Sequence, residues 1–306
     1  MNFRVALILF ISGLGIATQP SLADPINFTV TLIDVPGSRS TTAIGINNSS
    51  QIVGSYTDSA GTTHGFLDTN STFTTLDFPG STFTQATGIN NVGQIVGFYS
   101  GGAFLYQNGA FSNLNIPAAR FVNAFGIPQQ VAINDSGQIV GTTSDARGFL
   151  YANGQLTFLP TSAQYPAITA LGINNVGDIA GGLRPSSFIG GYPFVYKNGQ
   201  YTSPSVPSDE AAAYGVNDAG HVLVYNGDSF GSRTYLIVNG VTSAPPPDPL
   251  FQYFEGIPQG LNDADQIVGS DGLHGFLATP VPEPSSVLLF VSGLAGVGLL
   301  LRRKKV

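Results

Sequence analysis

The sequence predicts an all-β fold, a closed six-bladed β-propeller with four strands in each blade. Three observations lead to this prediction: a phrase repeated six times, turn residues between short strand patterns, and an N-terminal segment that matches the strand missing from the last repeat. The copies lie 40 to 45 residues apart, a period typical of folds built from one small sheet per repeat. Each copy is an apolar residue, then Asn, then Asn or Asp, and the copies begin at Asn47, Asn90, Asn134, Asn174, Asn217 and Asn262.

The composition agrees with strands joined by tight turns. Only 9% of the 306 residues are charged, 42% are hydrophobic, and 39 are glycine. A chain with this much apolar content can fill a large core and is not intrinsically disordered. The absence of cysteine from the sequence excludes disulfide bonds, thiolate metal sites and a cysteine nucleophile.

One repeat has the pattern of four short strands. In the second copy, the segments 86–89, 94–99, 103–106 and 111–116 predict strands of four to six residues. Asn108-Gly109 between the last two is typical of a type I′ hairpin turn, because both residues tolerate positive φ. The turn between the first two strands has glycine at one position in four copies, which predicts another positive φ. These glycines are Gly93, Gly137, Gly177 and Gly220.

The first strand of each repeat has a small residue two positions before the repeat Asn and a branched apolar residue one position before it. Small residues at one fixed position indicate crowding, as where strands converge on an axis. The branched residues are expected to pack between neighbouring sheets. The small residues are Gly45, Gly88, Ala132, Gly172, Gly215 and Gly260, and the branched residues are Ile46, Ile89, Ile133, Ile173, Val216 and Leu261.

The two ends of the repeat region predict how the ring closes. The sixth copy stops at its third strand, 275–277, whereas Phe28–Val35 near the N-terminus matches the fourth-strand segment at 73–78. The N-terminal strand would therefore complete the last blade and leave no open sheet edge. An open solenoid would have no reason to divide its last unit between the two ends.

These repeats resemble the HAF family of extracellular repeats. The family's phrase Gly-Ile-Asn-Asp-x-Gly-x-Ile-Val-Gly is matched by Ala132–Gly141, and its following strand by His64–Leu67. The resemblance covers roughly residues 40 to 277 and departs in the fifth copy, where His221–Val224 lacks the final glycine. It implies export and a repeat scaffold without a defined reaction.

Residues 1–23 have the pattern of a secretory signal peptide. Arg4 supplies the positive start, Val5–Ala17 the apolar region, and Ser21-Leu22-Ala23 a small-x-small site. Cleavage is therefore expected between Ala23 and Asp24. An uncleaved anchor helix is the alternative, although the apolar run is short for a membrane span.

Residues 280–306 have the pattern of a second targeting signal. The apolar run Val287–Leu301 would form a helix roughly 22 Å long, which is at the short end for crossing a bilayer. The basic residues after it are expected to stay in the cytoplasm. The run is preceded by Pro282, Glu283 and Pro284 and followed by Arg302, Arg303, Lys304 and Lys305.

This tail closely resembles the PEP-CTERM sorting signal, which has the same three parts in the same order. The resemblance implies an exported protein of a Gram-negative bacterium, processed near Pro282–Pro284 by an exosortase-type enzyme and delivered to the cell surface or the exopolysaccharide matrix. The inner-membrane anchor would be transient or permanent, and a plain single-span anchor is the alternative. The predicted domains are a signal peptide (1–23), the propeller (24–279) and the sorting tail (280–306).

The charge of the predicted propeller excludes one class of partner. Residues 24–279 hold six basic and 17 acidic side chains. A body with this excess of negative charge is repelled by nucleic acid, and no basic stripe suggests such binding.

Residues that could carry chemistry each have a structural explanation as well. His64 and His274 share one repeat position, which favours hydrogen-bonded blade residues over a shared metal site. The loops 262–266 and 134–137 lack the bidentate carboxylate of calcium loops, which favours Asx turns. The sequence contains no hydrolase elbow, phosphate loop or dinucleotide motif, and we predict neither a cofactor nor a metal. Acids that could pair for glycoside chemistry are Asp34, Asp77, Asp209, Glu210, Asp228 and Glu255.

Variable loop length is the best indicator of a binding surface. The longer loops at 56–63, 183–192 and 226–233 are expected to share one face of the ring, where loops on a rigid scaffold commonly carry binding. Five of their side chains could stack on or hydrogen-bond sugars, or could simply act as spacers. They are Tyr56, Arg184, Phe188, Tyr192 and Arg233.

These observations predict a non-catalytic surface or matrix protein. It would be a propeller binding module or scaffold sorted by its tail and associated with exopolysaccharide or another surface component. The alternative is a polysaccharide-active enzyme, a lyase or a glycosidase, that uses acids in the channel of the propeller.

Overall fold

The structure is a computed structural model that describes residues 27–116, 130–185, 191–206, 210–228, 231–243 and 256–281. Within these residues the regular elements are 24 β-strands in six four-stranded antiparallel sheets. The six-bladed propeller predicted from the sequence is therefore confirmed. In this part of the chain no helix is long and apolar enough to cross a bilayer. The predicted signal peptide, sorting motif and C-terminal helix lie outside it.

Five blades are continuous in the chain. Blade 1 contains β2 (Ser40–Ile46), β3 (Ile52–Thr57), β4 (Thr63–Thr69) and β5 (Thr72–Leu76). Blade 2 contains β6 (Thr84–Ile89), β7 (Ile95–Tyr99), β8 (Gly102–Gln107) and β9 (Ala110–Asn113). Blade 3 contains β10 (Ala132–Ile133), β11 (Ile139–Thr142), β12 (Gly148–Ala152) and β13 (Gln155–Phe158). Blade 4 contains β14 (Ala167–Ile173), β15 (Ile179–Arg184), β16 (Tyr192–Lys197) and β17 (Gln200–Thr202), and blade 5 contains β18 (Ala211–Val216), β19 (Val222–Asp228), β20 (Gly231–Val238) and β21 (Val241–Ser243).

Blade 6 joins the two ends of the ring. Its inner three strands are β22 (Ile257–Leu261), β23 (Ile267–Ser270) and β24 (Gly275–Pro280), and its outer strand is β1 (Phe28–Ile33). β1 pairs with β24 in antiparallel register along its whole length. The predicted closure by the N-terminal strand is therefore confirmed.

The turns have the backbone geometry that the sequence predicts. Asn108 and Gly109 have φ values of 52° and 79°, as a type I′ turn requires. Gly93 has φ 82°, and the equivalent Gly137, Gly177 and Gly220 are also positive. In these turns the positive φ values therefore fall on glycine and asparagine, residues that adopt left-handed backbone readily.

Large side chains fill the spaces between neighbouring blades. Phe66, in the third strand of blade 1, is fully buried and packs with Val268 of blade 6. Phe104 of blade 2 packs in the same way with Val53 of blade 1. Complete burial of one such side chain contributes about 2 to 3 kcal/mol. The hydrophobic core is therefore distributed around the ring, between the sheets.

The inner strands approach one another too closely for large side chains at one position near the axis. A Cβ atom added to Gly88 would lie 2.8 Å from the carbonyl oxygen of Val131 and 3.1 Å from the Cα of Ala132 in the next blade. This contact confirms the crowding predicted for the small residues. The ladder between the first two strands skips one residue just before this glycine, so Thr87 is bulged. Equivalent bulges fall at Ile44, Leu171, Tyr214 and Gln259.

Antiparallel blades give the ring two different faces. We call the turn face the side that carries the turns between first and second strands, such as 47–51, and between third and fourth strands, such as 70–71. We call the loop face the side that carries the connections between second and third strands, such as 58–62, and between blades. The strand ends that flank the three longer loops predicted from the sequence all lie on the loop face.

Candidate functional site

The six repeat asparagines form a closed ring of hydrogen bonds on the turn face. Each side chain is buried, with 2% to 5% of its surface exposed. Its Nδ2 donates to the backbone carbonyl of the repeat Asn in the next blade, so every blade is bonded to both neighbours. The pairs are Asn47 to Asn90 (3.2 Å), Asn90 to Asn134 (3.0 Å), Asn134 to Asn174 (3.1 Å), Asn174 to Asn217 (2.9 Å), Asn217 to Asn262 (3.2 Å) and Asn262 to Asn47 (3.0 Å).

The same asparagines also shape their own turns. Asn262 Oδ1 accepts hydrogen bonds from the backbone N–H groups of Ala264 at 3.1 Å and Gln266 at 3.0 Å. This is the Asx-turn geometry that the sequence predicts for the loop 262–266. Among the residues that the structure describes, no three His, Cys, Asp or Glu side chains are grouped as metal ligands.

A second ring surrounds the first. The residue after each repeat Asn donates its backbone N–H to the side-chain Oδ1 of the equivalent residue in the next blade, over 2.7 to 3.0 Å. Three of these residues are Asp, and each carboxylate also accepts a bond from an Asn Nδ2. The negative charges are therefore fixed by amide groups. The ring runs through Asn48, Asn91, Asp135, Asn175, Asp218 and Asp263.

Blades 5 and 6 show one matched exception on this face. His221 stands where four other repeats have Gln, and Asp265 stands where four others have Gly. Asp265 keeps a positive φ of 57° and accepts from Asn217 Nδ2 at 2.9 Å, while its carboxylate lies 2.8 Å from His221 Nδ1. The two residues that differ from the other repeats therefore contact each other across the boundary between blades 5 and 6.

Two small cavities lie along the axis, with volumes of about 70 and 60 Å³. The smaller is lined by the two turn-face rings, and the larger by the bulged residues. The branched residues next to the repeat asparagines border both cavities, in addition to packing between blades as predicted. Pockets for small organic ligands typically enclose ~300–1,000 Å³, so each cavity matches a few water molecules, not a sugar.

The loop face of blade 1 carries a half-exposed polar cluster. His64 Nδ1 lies 3.0 Å from the carboxylate of Asp77, and its Nε2 lies 3.5 Å from Asp58. The Tyr56 ring stacks on the His64 ring with 5.1 Å between centroids, and its hydroxyl lies 3.0 Å from Thr75 Oγ1. We call Tyr56, Asp58, His64 and Asp77 the blade-1 cluster.

The electrostatics of this cluster favour a charged imidazole. Partial burial lowers the pKa of His64, but the hydrogen bonds and charges of Asp77 and Asp58 outweigh burial, so the net pKa is raised above its usual value. A backbone hydrogen bond from Thr62, aided by His64, lowers the pKa of Asp58. The cluster therefore presents carboxylate oxygens and an aromatic ring to solvent, which is chemistry suited to hydroxyl groups and flat apolar rings.

Blade 6 repeats only half of this arrangement. His274 Nδ1 lies 3.0 Å from Asp34, as His64 lies from Asp77. However, Asp271 stands where blade 1 has Tyr56, and its side chain accepts hydrogen bonds from backbone N–H groups of its own loop. Each histidine has its own carboxylate partner, as the interpretation of hydrogen-bonded blade residues expects.

The predicted loop-face residues that the structure describes lie in three blades, with Arg184 and Tyr192 on paired strands of blade 4. Tyr56 belongs to the blade-1 cluster, and Arg184 ends β15 in blade 4. Tyr192 begins β16, 6.1 Å from the ring of Tyr165, and Arg233 is exposed near the start of β20 in blade 5. Blade 1 is opposite blade 4 in the ring, so Tyr56 does not share a site with Arg184, Tyr192 or Arg233. Phe188 lies outside the described residues.

Sequence reasoning missed the bulged residues that face the axis. Burial raises the pKa of Tyr214 to about 12, with a further contribution from Tyr225, whose ring lies 6.0 Å away, while Arg184 acts in the opposite direction. Tyr214 therefore remains a neutral hydrogen-bonding group in the larger cavity. The sequence does contain a signal for these residues. The position just before the small residue differs widely from repeat to repeat, whereas the positions after it hardly change.

Comparison with curated protein sequences finds no match. One family description matches the chain: residues 280–304 match the PEP-CTERM protein-sorting motif. No family match tests the HAF-type repeat, which stays a prediction.

Solved structures similar to this ring are themselves propeller proteins. One is a gluconolactonase from Xanthomonas campestris, with a TM-score of 0.53, 13% identity, and coverage of 84% of this chain and 95% of that one. Another is a streptogramin B lyase, with a TM-score of 0.50, 11% identity, and coverage of 82% and 97%. At these identities the likeness shows the fold alone: the chain is a six-bladed β-propeller followed by a PEP-CTERM sorting motif.

Proposed function

We propose that this protein is an exported binding module of the cell surface or extracellular matrix, sorted through its PEP-CTERM tail and associated with exopolysaccharide through its loop face. An exosortase-type enzyme is its processing partner. The role is non-catalytic: the ring holds a ligand and does not transform it.

The blade-1 cluster is the observation that carries the binding role. On the turn face, the asparagine and aspartate side chains are engaged in two closed rings. On the loop face, Asp77 keeps 51% and Asp58 keeps 34% of its side-chain surface exposed, beside the stacked Tyr56 ring. Carboxylates next to an aromatic ring can hydrogen-bond sugar hydroxyls and stack on the apolar face of a sugar.

The sorting motif supports the location. Its match at 280–304 begins at the last residue of β24, so the ring leads directly into the sorting signal. A protein carrying this signal is exported and sorted from the membrane, and an exopolysaccharide ligand would offer many hydroxyl groups to the blade-1 cluster.

The test is a binding and cleavage assay with exopolysaccharide from the producing cells. We expect the purified protein to be retained by the immobilised polymer without shortening its chains. Tyr56→Ala and Asp77→Asn should each weaken retention about tenfold, because loss of one good polar or stacking contact costs about 1 to 2 kcal/mol.

Asp34→Asn is the matched control. It makes the same chemical change at the same repeat position in blade 6, where Asp271 stands in place of the tyrosine, and it should leave retention unchanged. Chain shortening that a single Asp→Asn change abolishes would instead identify a lyase or glycosidase. Equal retention of all variants would remove blade 1 from the proposal.

A further inference from the structure

Both ends of the ring leave from the turn face. β23 starts at the turn 262–266 and ends on the loop face, so β24 returns from the loop face to the turn face. Directly after β24, the backbone N–H of Val281 donates to the carbonyl of Asn27, just before β1, at 2.8 Å. The sorting tail therefore begins at a fixed point on the turn face, at the outer part of blade 6.

The connection from this point to the membrane segment is short. Five residues, Pro282–Ser286, separate Val281 from the apolar run that starts at Val287. From Val281 to Val287 there are six Cα–Cα steps, which reach roughly 21 Å when fully extended. Val281, at the edge of the turn face, therefore lies within that distance of the start of the inserted segment for as long as the tail is inserted.

This tether is too short for the ring to turn over. Strands of six or seven residues make the ring about 20 Å thick, and the outer strand adds about 5 Å in width. To place the loop face on the membrane, the tether would have to pass around β1 and down the side of blade 6, a path of at least ~25 Å. Inversion is excluded by length alone.

We propose that the turn face is the membrane-proximal face of the tethered protein and that only the loop face is open to external partners until the tail is removed. The occupant of the space beneath the turn face is the bilayer surface. This inference rests on the proposed role of the tail as a membrane-inserted sorting signal, and it explains why ligand-binding side chains belong on the loop face.

Exposed aliphatic residues on both faces provide matched reporters. Val92 and Val176 lie in turns on the turn face and keep 68% and 69% of their surface exposed in the ring. Leu273 lies in a loop of blade 6 on the loop face and keeps 62%. The ring itself shields none of them, so a difference in their accessibility on vesicles reports the membrane.

The test uses single cysteines, since the natural sequence has none. The mature chain with Val92→Cys, Val176→Cys or Leu273→Cys is reconstituted into phosphatidylethanolamine–phosphatidylglycerol vesicles and treated with a 5-kDa polyethylene glycol maleimide. We expect positions 92 and 176 to react at least tenfold more slowly than position 273. A small maleimide should react at similar rates at all three, which shows that the three thiols are equally exposed to a reagent that the membrane does not obstruct.

A longer tether provides the second arm. Twelve Gly/Ser residues inserted after Val281 add about 20 Å of reach and should restore the reaction of positions 92 and 176 with the polymer reagent. Equal polymer rates at all three positions, or slower reaction at position 273, would overturn the orientation. Protein that does not co-purify with the vesicles would show that the tail does not hold the ring at the membrane, which contradicts the proposal. If the protection pattern holds but exopolysaccharide is not retained, the proposed ligand fails and the orientation stands.

Discussion

The turn face and the loop face are made from the same six repeats, but the hydrogen bonds of the repeat asparagines run from blade to blade, whereas those of the blade-1 cluster stay within one blade. On the turn face, Asn90 and its equivalents bond from blade to blade, and the same residue types recur around the ring. On the loop face, Tyr56, His64 and Asp77 bond within blade 1, and most other blades have different residues there. The same residue type is therefore kept in every repeat where its side chain must bond to the next blade. Residue types can differ between repeats where the side chains bond within their own blade.

Two neighbouring glycines give the sharpest test of this comparison. Gly181 stands at a repeated position, and an added Cβ would lie 1.9 Å from the carbonyl oxygen of Thr169 and 2.9 Å from the Phe194 ring. Gly181→Ala should lower the free energy of unfolding by about 3 kcal/mol, measured by urea denaturation. This is the largest effect expected.

The adjacent Gly182 is its control because it stands at a variable position. The nearest atom to its added Cβ is Ala212 Cβ at 3.5 Å, an ordinary van der Waals contact. Gly182→Ala should change stability by less than ~1 kcal/mol, and restriction of the unfolded chain could make it stabilising. Equal losses for the two variants would contradict the distinction between repeated and variable positions.

The asparagine ring predicts an intermediate effect. Asn90→Ala removes the bonds to Asn134 and Gln94 and leaves a buried carbonyl without its partner, so it should cost about 2 kcal/mol. Asn91→Ala, in the exposed second ring, should cost less than ~1 kcal/mol, since water can replace its bonds. Thermal unfolding of the two variants side by side checks this order, and a larger loss for Asn91→Ala would reverse it.

The blade-1 cluster predicts the smallest effect, a dependence of stability on pH. Because the pKa of His64 is raised in the fold, its stabilising contribution is fully present below its unfolded value of about 6.5 and is lost as the pH rises through the folded value. His64→Gln should therefore cost about 0.5 kcal/mol at pH 5.5 and less at pH 8.5.

Unfolding curves of wild type and variant at both pH values measure this difference. Tyr56→Phe removes a neutral hydroxyl from the same cluster and should give a loss that does not change with pH. A constant difference between wild type and His64→Gln would show that the Asp77 and Asp58 contacts do not stabilise the imidazolium.

Much of the fold could be predicted because it depends on local chemistry repeated many times. Asn108-Gly109 specifies its own turn, and the match between 28–35 and 73–78 reveals where the first strand pairs. The crowding at Gly88 could also be foreseen, because a small residue at the same position of all six repeats indicates a close approach of backbones there. Regular repetition amplifies each local signal.

The candidate site could be predicted only in part, because its contacts join residues distant in sequence. Asp77 was recognised as a possible acid, but nothing in one sequence shows that it faces His64 across two strands. The pairing of His221 with Asp265 is likewise invisible, although both residues depart from their repeat. The bulge that turns Tyr214 to the axis arises from pairing between strands, and its one indication in the sequence is that this position varies between repeats.

The pairing of β1 with β24 makes completeness of the chain a condition of folding. The first strand is made first and its partner last, so this contact has the longest loop to close and is expected to form late. A chain that stops early leaves blade 6 with exposed strand edges, which are prone to aggregation. The sorting motif follows directly after β24, so one short stretch of chain both closes the ring and carries the sorting signal. A chain that reaches the sorting signal during synthesis therefore already contains all 24 strands of the ring.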